Sequence, residues 1–496
     1  MTEGKTFFGH PRGLATLFFT EMWERFSYYG MRAILILFMT TPAAQQGLGL
    51  NNETSGPIYG LYTASVYLLT LPGGWLADNI FGQRKAIWYG GIMIMMGHLI
   101  LAIPGSVPIF ATGLAFVACG TGLLKPNIST IVGDLYPEGG ARRDAGFSLF
   151  YMGINTGSIL GQFVVPLVGE KINWHWGFGL AAVGMFFGLL QFRLSQDTLL
   201  NLGIKPKAKE RQEEGGEITG NKGMAIGLVI ALIAFLVVLQ YVNVIDLTSA
   251  GGIAAGAGVL IVSITLFYFL YILIAGGLNG EEKRRVGIIF FLFIGAALFW
   301  AGFEQAGSTL NLFSRDYTNR FLFGWELPAG WLQNVNPLMI VIFAPIIGAL
   351  WVKLAAKNLN PATPLKFGLG LILMGFGFLV MYFAAHRVVE GMQAGMAWLV
   401  LTYFLHSAGE LALSPVGLSA TTKLAPKAFV GQMMGIWFVA TSLGNLIAGM
   451  FAGEFDPNNV SGMPSLFMTV VLFGCGSGIL FVIFSPLMKK WMGNVQ

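Results

Sequence analysis

LATLFFTEMWERFSYYGMRAILILFMT, residues 14–40, sets the terms for the whole chain. The run is long enough to cross about 30 Å of hydrocarbon as a helix, yet it carries Glu21, Glu24, Arg25 and Arg32. At about 100° per residue, Glu21, Glu24, Arg25, Tyr28, Tyr29 and Arg32 fall within one arc of about 140°. Glu21 and Arg25 are four apart and can pair along the helix; Arg25 and Arg32 stack two turns apart. A charge at the bilayer centre costs roughly 2.5–3.5 kcal/mol on insertion scales. The arc therefore faces a wet cavity or a polar interface. Two uses fit it: an ion-pair cluster that only locks helices together, or a site that handles protons. Pairing with Arg25 favours a charged carboxylate, whereas loss of water favours a neutral one. A cavity that opens and closes would thus make a proton carrier of one carboxylate, and spacing does not say whether of Glu21 or Glu24.

Apolar runs of similar length recur at 55–77, 86–104, 108–133, 145–169 and 175–192, then at 223–245, 252–276, 286–312, 331–352, 366–386, 393–421, 428–452 and 465–488. With the first, they make fourteen expected membrane segments. Backbone groups in lipid must satisfy one another, and the ten-residue alternation of a barrel strand is absent, so the expected class is all-α and polytopic. Composition agrees: of 496 residues 55% are apolar and 11% charged, against about 25% charged in soluble domains. That excludes an ordinary soluble enzyme, a disordered chain and a nucleic-acid binder. The polar first dozen residues and the charged first segment give no sign of a cleavable leader. Cys119 and Cys475 both lie in apolar runs and read as packing residues.

Of the 29 Lys and Arg, 22 fall on one side if the N-terminus is cytoplasmic, among them Lys5, Arg84, Lys207, Lys209, Arg211, Lys222, Lys366, Lys423 and Lys489. Four fall opposite (Lys171, Arg315, Arg320, Arg387) and three lie at membrane depth (Arg25, Arg32, Lys125). This bias places both termini in the cytoplasm. The expected organisation is a six-helix bundle over 1–193, a cytoplasmic linker over 194–222, an additional helix pair over 223–276 and a second six-helix bundle over 277–496. Both halves carry G-x-x-x-x-[K/S]-P, from Gly120 to Lys125-Pro126 and from Gly409 to Ser414-Pro415, an echo that suits two related bundles around a midplane site.

Three more charges sit in apolar surroundings: Lys125 in ACGTGLLKPN, Glu304 in LFWAGFEQAGS and Glu410 in YFLHSAGELALSPVG. Such groups can pair in one state and release in another. Asn155, Gln305, Asn336 and Ser414 are polar companions that helix–helix hydrogen bonding explains equally well. Tyr67, Tyr151, Trp300 and Trp437 suit either pocket walls or packing. His10, His98, His175, His386 and His406 are scattered and form no ligand set, although His406 precedes Glu410 by one helical turn. No G-x-x-x-x-G-K-[ST] loop exists, so no nucleotide partner is expected. The GxxxG-like spacings read as close helix packing.

GGWLADNIFGQRK (73–85) resembles the cytoplasmic loop signature of the major facilitator superfamily, in which Asp78, Arg84 and Lys85 would brace the closed inner side. EMWERFSYYGMR closely resembles the E-x-x-E-R-F-x-Y-Y-G motif of the proton-dependent oligopeptide transporter family. FYMGINTGSILG (150–161), FWAGFEQAGS, GTGLLKPN and GELALSPVGLS resemble further motifs of that family, in order and over both halves. The resemblance implies the major facilitator fold with fourteen helices, two of them additional, in a bacterial inner membrane. It implies that Glu21, Glu24 and Arg25 couple protons and that Arg32 and Lys125 face a peptide carboxylate. Glu410, helped by Asn336 and Asn155, would receive the amino terminus, while Tyr28, Tyr29, Tyr67, Tyr151, Trp300 and Trp437 shape the cavity beside Ser414. Gates would pair Glu304 with a cation such as Arg32 outside, and Lys125 with Glu410 inside. Around Tyr62 the chain departs from animal members, with Gly60 and Leu61 and no histidine, so no histidine-assisted step is implied.

The chemistry agrees. A di- or tripeptide is a short zwitterion, and a binder needs a cation near one end, an anion near the other and tolerant walls between. The implied activity is proton-coupled import of di- and tripeptides, with protons as coupling ion, no cofactor or metal, no enzymatic activity, and a monomer sufficient. The alternative is a nitrate or other small-anion carrier, which would leave Glu410 without a task. An intramembrane hydrolase lacks its aspartate pair or Ser/His pair here, and a channel would not be built from single-copy, asymmetric charges.

Overall fold

The structure, a computed structural model, describes residues 6–206, 234, 237–242, 245–357 and 359–493. Most of the expected segment 223–245 and of the linker, with Lys5, Lys207, Lys209, Arg211 and Lys222, lies outside these residues. The fold class is the expected one, an all-α membrane protein. Ten of the described helices are long and apolar enough to cross a membrane. The first three expected segments fall outside that set, the first because of its own charges, and with the ten they account for thirteen of the fourteen. The chain divides into two compact units, Met1–Gly49 with Ser65–Val229, and Leu50–Ala64 with Ile230–Gln496.

In the first unit α1 spans Arg12–Thr40. It begins after Pro11 and ends where Thr41, which precedes Pro42, turns extended, the conformation that a following proline favours. The second expected segment is not one helix: α2 (Asn52–Leu68) and α3 (Thr70–Leu76) are separated at Leu69. Pro72 has no N–H for the Leu68 carbonyl, which accounts for the interruption. A wider turn, Ala77–Phe81, closes on Gly82 at φ 79°, a left-handed position that suits glycine. Then come α4 (Gln83–Leu101), α5 (Val107–Asp134), α6 (Gly140–Lys171) and α7 (Trp174–Ser195). The Asn173 side chain caps α7 by accepting from the His175 and Trp176 N–H groups.

The second unit holds α8 (Ala250–Ala275) and α9 (Gly280–Phe303), the latter opened by a capping box between Asn279 and Glu282. The expected segment 286–312 also breaks: a tight turn over Glu304–Gly307 separates α9 from the short α10 (Thr309–Tyr317). Two minimal ladders follow, Thr318–Asn319 parallel to Ala394–Gly395 and Phe321–Leu322 antiparallel to Trp325–Glu326. The remaining helices are α11 (Val335–Ala356), α12 (Thr363–Val389), α13 (Met396–Leu424), α14 (Val430–Gly453) and α15 (Met463–Met492). The first part of α2 also belongs here and packs on α14: a Cβ on Gly56 would stand 2.5 Å from the Gly449 carbonyl oxygen.

The glycine of the sequence echo has the same task in each unit. A Cβ on Gly120 would stand 2.5 Å from the Gly90 carbonyl oxygen, and one on Gly90 2.6 Å from that of Gly120. In the second unit Gly409 and Gly370 meet in the same reciprocal way, at 2.8 and 2.9 Å. The α4–α5 and α12–α13 crossings are thus both made backbone to backbone, five residues before Lys125 and Ser414 respectively.

Candidate functional site

The charged arc of α1 is buried: Glu21 and Arg25 are 2% exposed and Glu24 not at all. Arg25 Nε lies 3.0 Å from Glu21 Oε1 and in close contact with Glu24 Oε2, so one guanidinium serves two carboxylates. Its charge also lies over aromatic faces, 5.4 Å from the Tyr28 ring centroid and 5.9 Å from that of Tyr29. Tyr29 is shared, because the Arg32 guanidinium stands 5.6 Å from it. Stacking of this kind stabilises a desolvated cation by about 2 kcal/mol. Arg32 itself is buried.

Glycines put α1 in this position. Gly153, Gly157 and Gly161 of α6 recur every four residues and form a groove for α1. A Cβ on Gly157 would stand 2.1 Å from the Met22 carbonyl oxygen and 3.1 Å from Arg25 Cβ, and one on Gly161 2.3 Å from the Phe26 carbonyl oxygen. From α7, Gly184 and Gly188 receive Phe26 and Trp23. This close packing buries the triad. Reading residues 150–161 for polar groups singles out Tyr151 and Asn155; the positioning residues are the glycines at 153, 157 and 161, and their four-residue spacing is the signal that marks them.

Lys125 is set by a different device. Pro126 offers no N–H to the Gly122 carbonyl, and α3 approaches that same carbonyl so closely that a Cβ on Gly73 would stand 2.0 Å from it. The Lys125 ammonium then lies 4.0 Å from the Tyr67 ring centroid. Asn155, 7% exposed, donates to the Tyr151 carbonyl at 3.0 Å, while the Tyr151 side chain is exposed. The first unit thus collects Glu21, Glu24, Arg25, Tyr28, Tyr29 and Arg32 on one helix face, with a third cation, Lys125, stacked on Tyr67.

In the second unit Asn336 Nδ2 donates to Glu410 Oε2 and to Ser407 Oγ, both at 3.0 Å, and Ser407 in turn donates to the Tyr403 carbonyl at 2.7 Å. Within that unit no Lys or Arg among the described residues pairs with Glu410. Ser407, absent from the expected set, is the side chain that orients Asn336; it lies one turn before Leu411 on the helix that carries Glu410. Glu304 is buried at the turn between α9 and α10. Trp300 packs edge-on against Phe299 and Phe303, and Trp437, 6% exposed, lies over Gly417 and against Phe367. Ser414 is half-buried. His406 is buried between Phe303 and Phe378 rings.

At the end of the first unit, the Arg84 guanidinium donates to the Leu202 carbonyl at 2.6 Å and to that of Leu200. Its own N–H reaches the Gly203 carbonyl, so it ties the start of α4 to the chain after α7. Partial burial lowers its pKa, with Asp197 opposing. Asp78 lies in the wide turn just before it. Among the described residues no group of His, Cys, Asp and Glu could hold a metal ion.

The POT family model matches residues 84–463. An uncharacterized transporter, YclF, of Bacillus subtilis is 43% identical over 99% of this chain and 97% of its own. The peptide transporter YePEPT of Yersinia enterocolitica is 39% identical over 99% of this chain and 97% of its own. A crystal structure of a mutant of the peptide transporter POT in complex with alafosfalin matches with a TM-score of 0.87 at 40% identity, covering 99% of this chain and 97% of that one.

Proposed function

Because the chain belongs to the POT family, and is therefore a membrane transporter and not an enzyme, we propose that it is a proton-coupled symporter importing di- and tripeptides. Transport would proceed by alternating access to a central site between two bundles. The observation that carries the peptide reading is Glu410: a carboxylate in an apolar helix whose partner within its unit is the neutral amide of Asn336. A half-buried anion held by an amide alone is short of positive charge, and the ammonium end of a peptide supplies it. Arg32 and Lys125 are the cations for the other end. Tyr28, Tyr29, Tyr67, Tyr151, Trp300 and Trp437 provide walls that select for length more than for side chain, with Asn155 and Ser414 as polar contacts. A nitrate or small-anion carrier would use the cations and leave the Asn336–Glu410 pair unused.

The triad of Glu21, Glu24 and Arg25 supports proton coupling. Two carboxylates on one guanidinium leave the triad with one net negative charge, which one bound proton neutralises. Either carboxylate can accept it while the other keeps Arg25 paired. Glu304 with Arg32, and Lys125 with Glu410, serve as outer and inner gates, and Asp78 and Arg84 brace the inner side. No cofactor takes part. The chain works as a monomer in a bacterial inner membrane with both termini cytoplasmic. The test is uptake into proteoliposomes of a dipeptide panel, with pH and voltage set separately and nitrate as competitor. Saturable, proton-driven dipeptide accumulation is expected; nitrate transport without dipeptide competition would refute the proposal.

A further inference from the structure

At one end of the second unit, the start of α12 and the ends of α13 and α15 enclose a cavity of about 300 Å³, room for roughly ten water molecules. Lys366, Lys423 and Lys489 line it with Asn360, Thr363 and Ser419, and no carboxylate stands among the described residues of its wall. Lys366 is only 7% exposed. Its ammonium lies 4.5 Å from the Trp351 ring centroid and makes no ion pair or hydrogen bond among the described residues. An ammonium has three donors, and an aromatic face replaces only part of the hydration that burial removes. The first turn of α12 adds positive potential: Ala362 at its N-cap gives no side-chain cap, and Pro364 follows at once. Pro364 has no N–H and those of Leu365 and Lys366 reach the Ala362 carbonyl, so the helix start adds positive potential beside Thr363 while the donors come from the lysines.

We propose that this cavity is an anion site for a phosphate group, with Lys366 as buried anchor and Lys423 and Lys489 as outer cations. Phosphate matches the wall because its several charged oxygens accept from separate donors at once. The group comes either from the headgroup of an anionic phospholipid or from phosphate in solution; in the proposed orientation the site faces the anionic cytoplasmic leaflet. None of the three lysines belongs to the proposed peptide path, so the site stands or falls apart from the peptide reading. A phosphate held here links the ends of three helices and stabilises the folded unit by mass action.

The full chain in nanodiscs of phosphatidylcholine, in phosphate-free buffer at fixed ionic strength, is titrated in one arm with inorganic phosphate. In the other arm phosphatidylglycerol replaces phosphatidylcholine in steps. The unfolding midpoint is read together with Trp351 emission, taken as the difference between wild type and Trp351→Phe. The midpoint should rise and the Trp351 signal should change with at least one ligand, and Lys366→Gln should weaken half-saturation roughly tenfold, the cost of one charge-assisted hydrogen bond. The exposed Lys423→Gln should weaken it in the same direction, and serves where the buried variant does not fold. A response to inorganic phosphate alone assigns a soluble anion, one to phosphatidylglycerol alone a lipid headgroup, and one to both the phosphate group from either source. No response in either arm, or equal responses in wild type and the lysine variants, overturns the proposal.

Discussion

Arg25 shows how much a single side chain can be committed. It holds two buried carboxylates and lies over two phenol rings. Removing it would strand two anions, a loss of about 3–5 kcal/mol for a broken buried pair, so its variants report on folding as well as function. The carboxylates are the sharper probes. Glu21→Gln or Glu24→Gln should lose proton-driven accumulation and keep peptide counterflow, which needs no net proton movement; full pH-driven accumulation in both variants would remove them from the coupling step. Glu410→Gln keeps a partner for Asn336 but has no charge for an ammonium. Its affinity for a dipeptide should fall roughly 10- to 100-fold, measured by competition against a labelled peptide, and an unchanged affinity would dismiss Glu410 as the amino-terminal anchor. Lys125→Ala should abolish uptake by the same logic at the other end.

At the scale of elements, helix position is set by absent side chains. Gly157 lies against the α1 backbone, where a Cβ would stand 2.1 Å from a carbonyl oxygen, so Gly157→Ala must push α1 and its triad away. Overpacking of this kind costs about 1–3 kcal/mol; the unfolding midpoint should drop and proton-driven uptake should be lost. Gly476 of α15 is the control, because a Cβ there meets nothing within 4 Å. Gly476→Ala should leave uptake unchanged and raise stability by up to about 1 kcal/mol through helix propensity. Equal effects of the two substitutions would show that glycine packing on α1 has no special part in transport. The reciprocal contacts Gly90–Gly120 and Gly370–Gly409 extend the theme: in each unit a lost Cβ lets two helices cross just before a polar residue followed by proline.

For the whole molecule, the prediction concerns driving force. Moving one positive charge inward releases about 2.3 kcal/mol per 100 mV. At 1.36 kcal/mol per decade, a zwitterionic dipeptide carried with one proton should accumulate roughly 50-fold at 100 mV, inside negative, with equal pH on both sides. A potassium diffusion potential across proteoliposomes measures it. No accumulation would mean facilitated diffusion and would end the symport reading. On the symport proposal, the membrane potential by itself supplies this work.

The sequence by itself determined the fold class, the family and which apolar helices carry charge. Lipid tolerates neither unsatisfied backbone nor casual charge, so hydropathy located the helices and each intramembrane Glu, Arg or Lys announced a polar surrounding. Thirteen expected segments lie where helices occur among the described residues, and Glu21 with Arg25 was readable because both lie on one helix, four residues apart. Tertiary structure alone decided the rest. Whether Glu24 shares Arg25, which ring lies under Lys125, and that Ser407 shares Asn336 with Glu410 depend on rotamers and on helices distant in the chain. The break over Glu304–Gly307 lay inside a continuous apolar run, since hydropathy reports burial in lipid and not where a helix turns; Pro72 marked the one at Leu69, but Pro57 and Pro126 sit inside unbroken helices, so only the structure decided which proline interrupts.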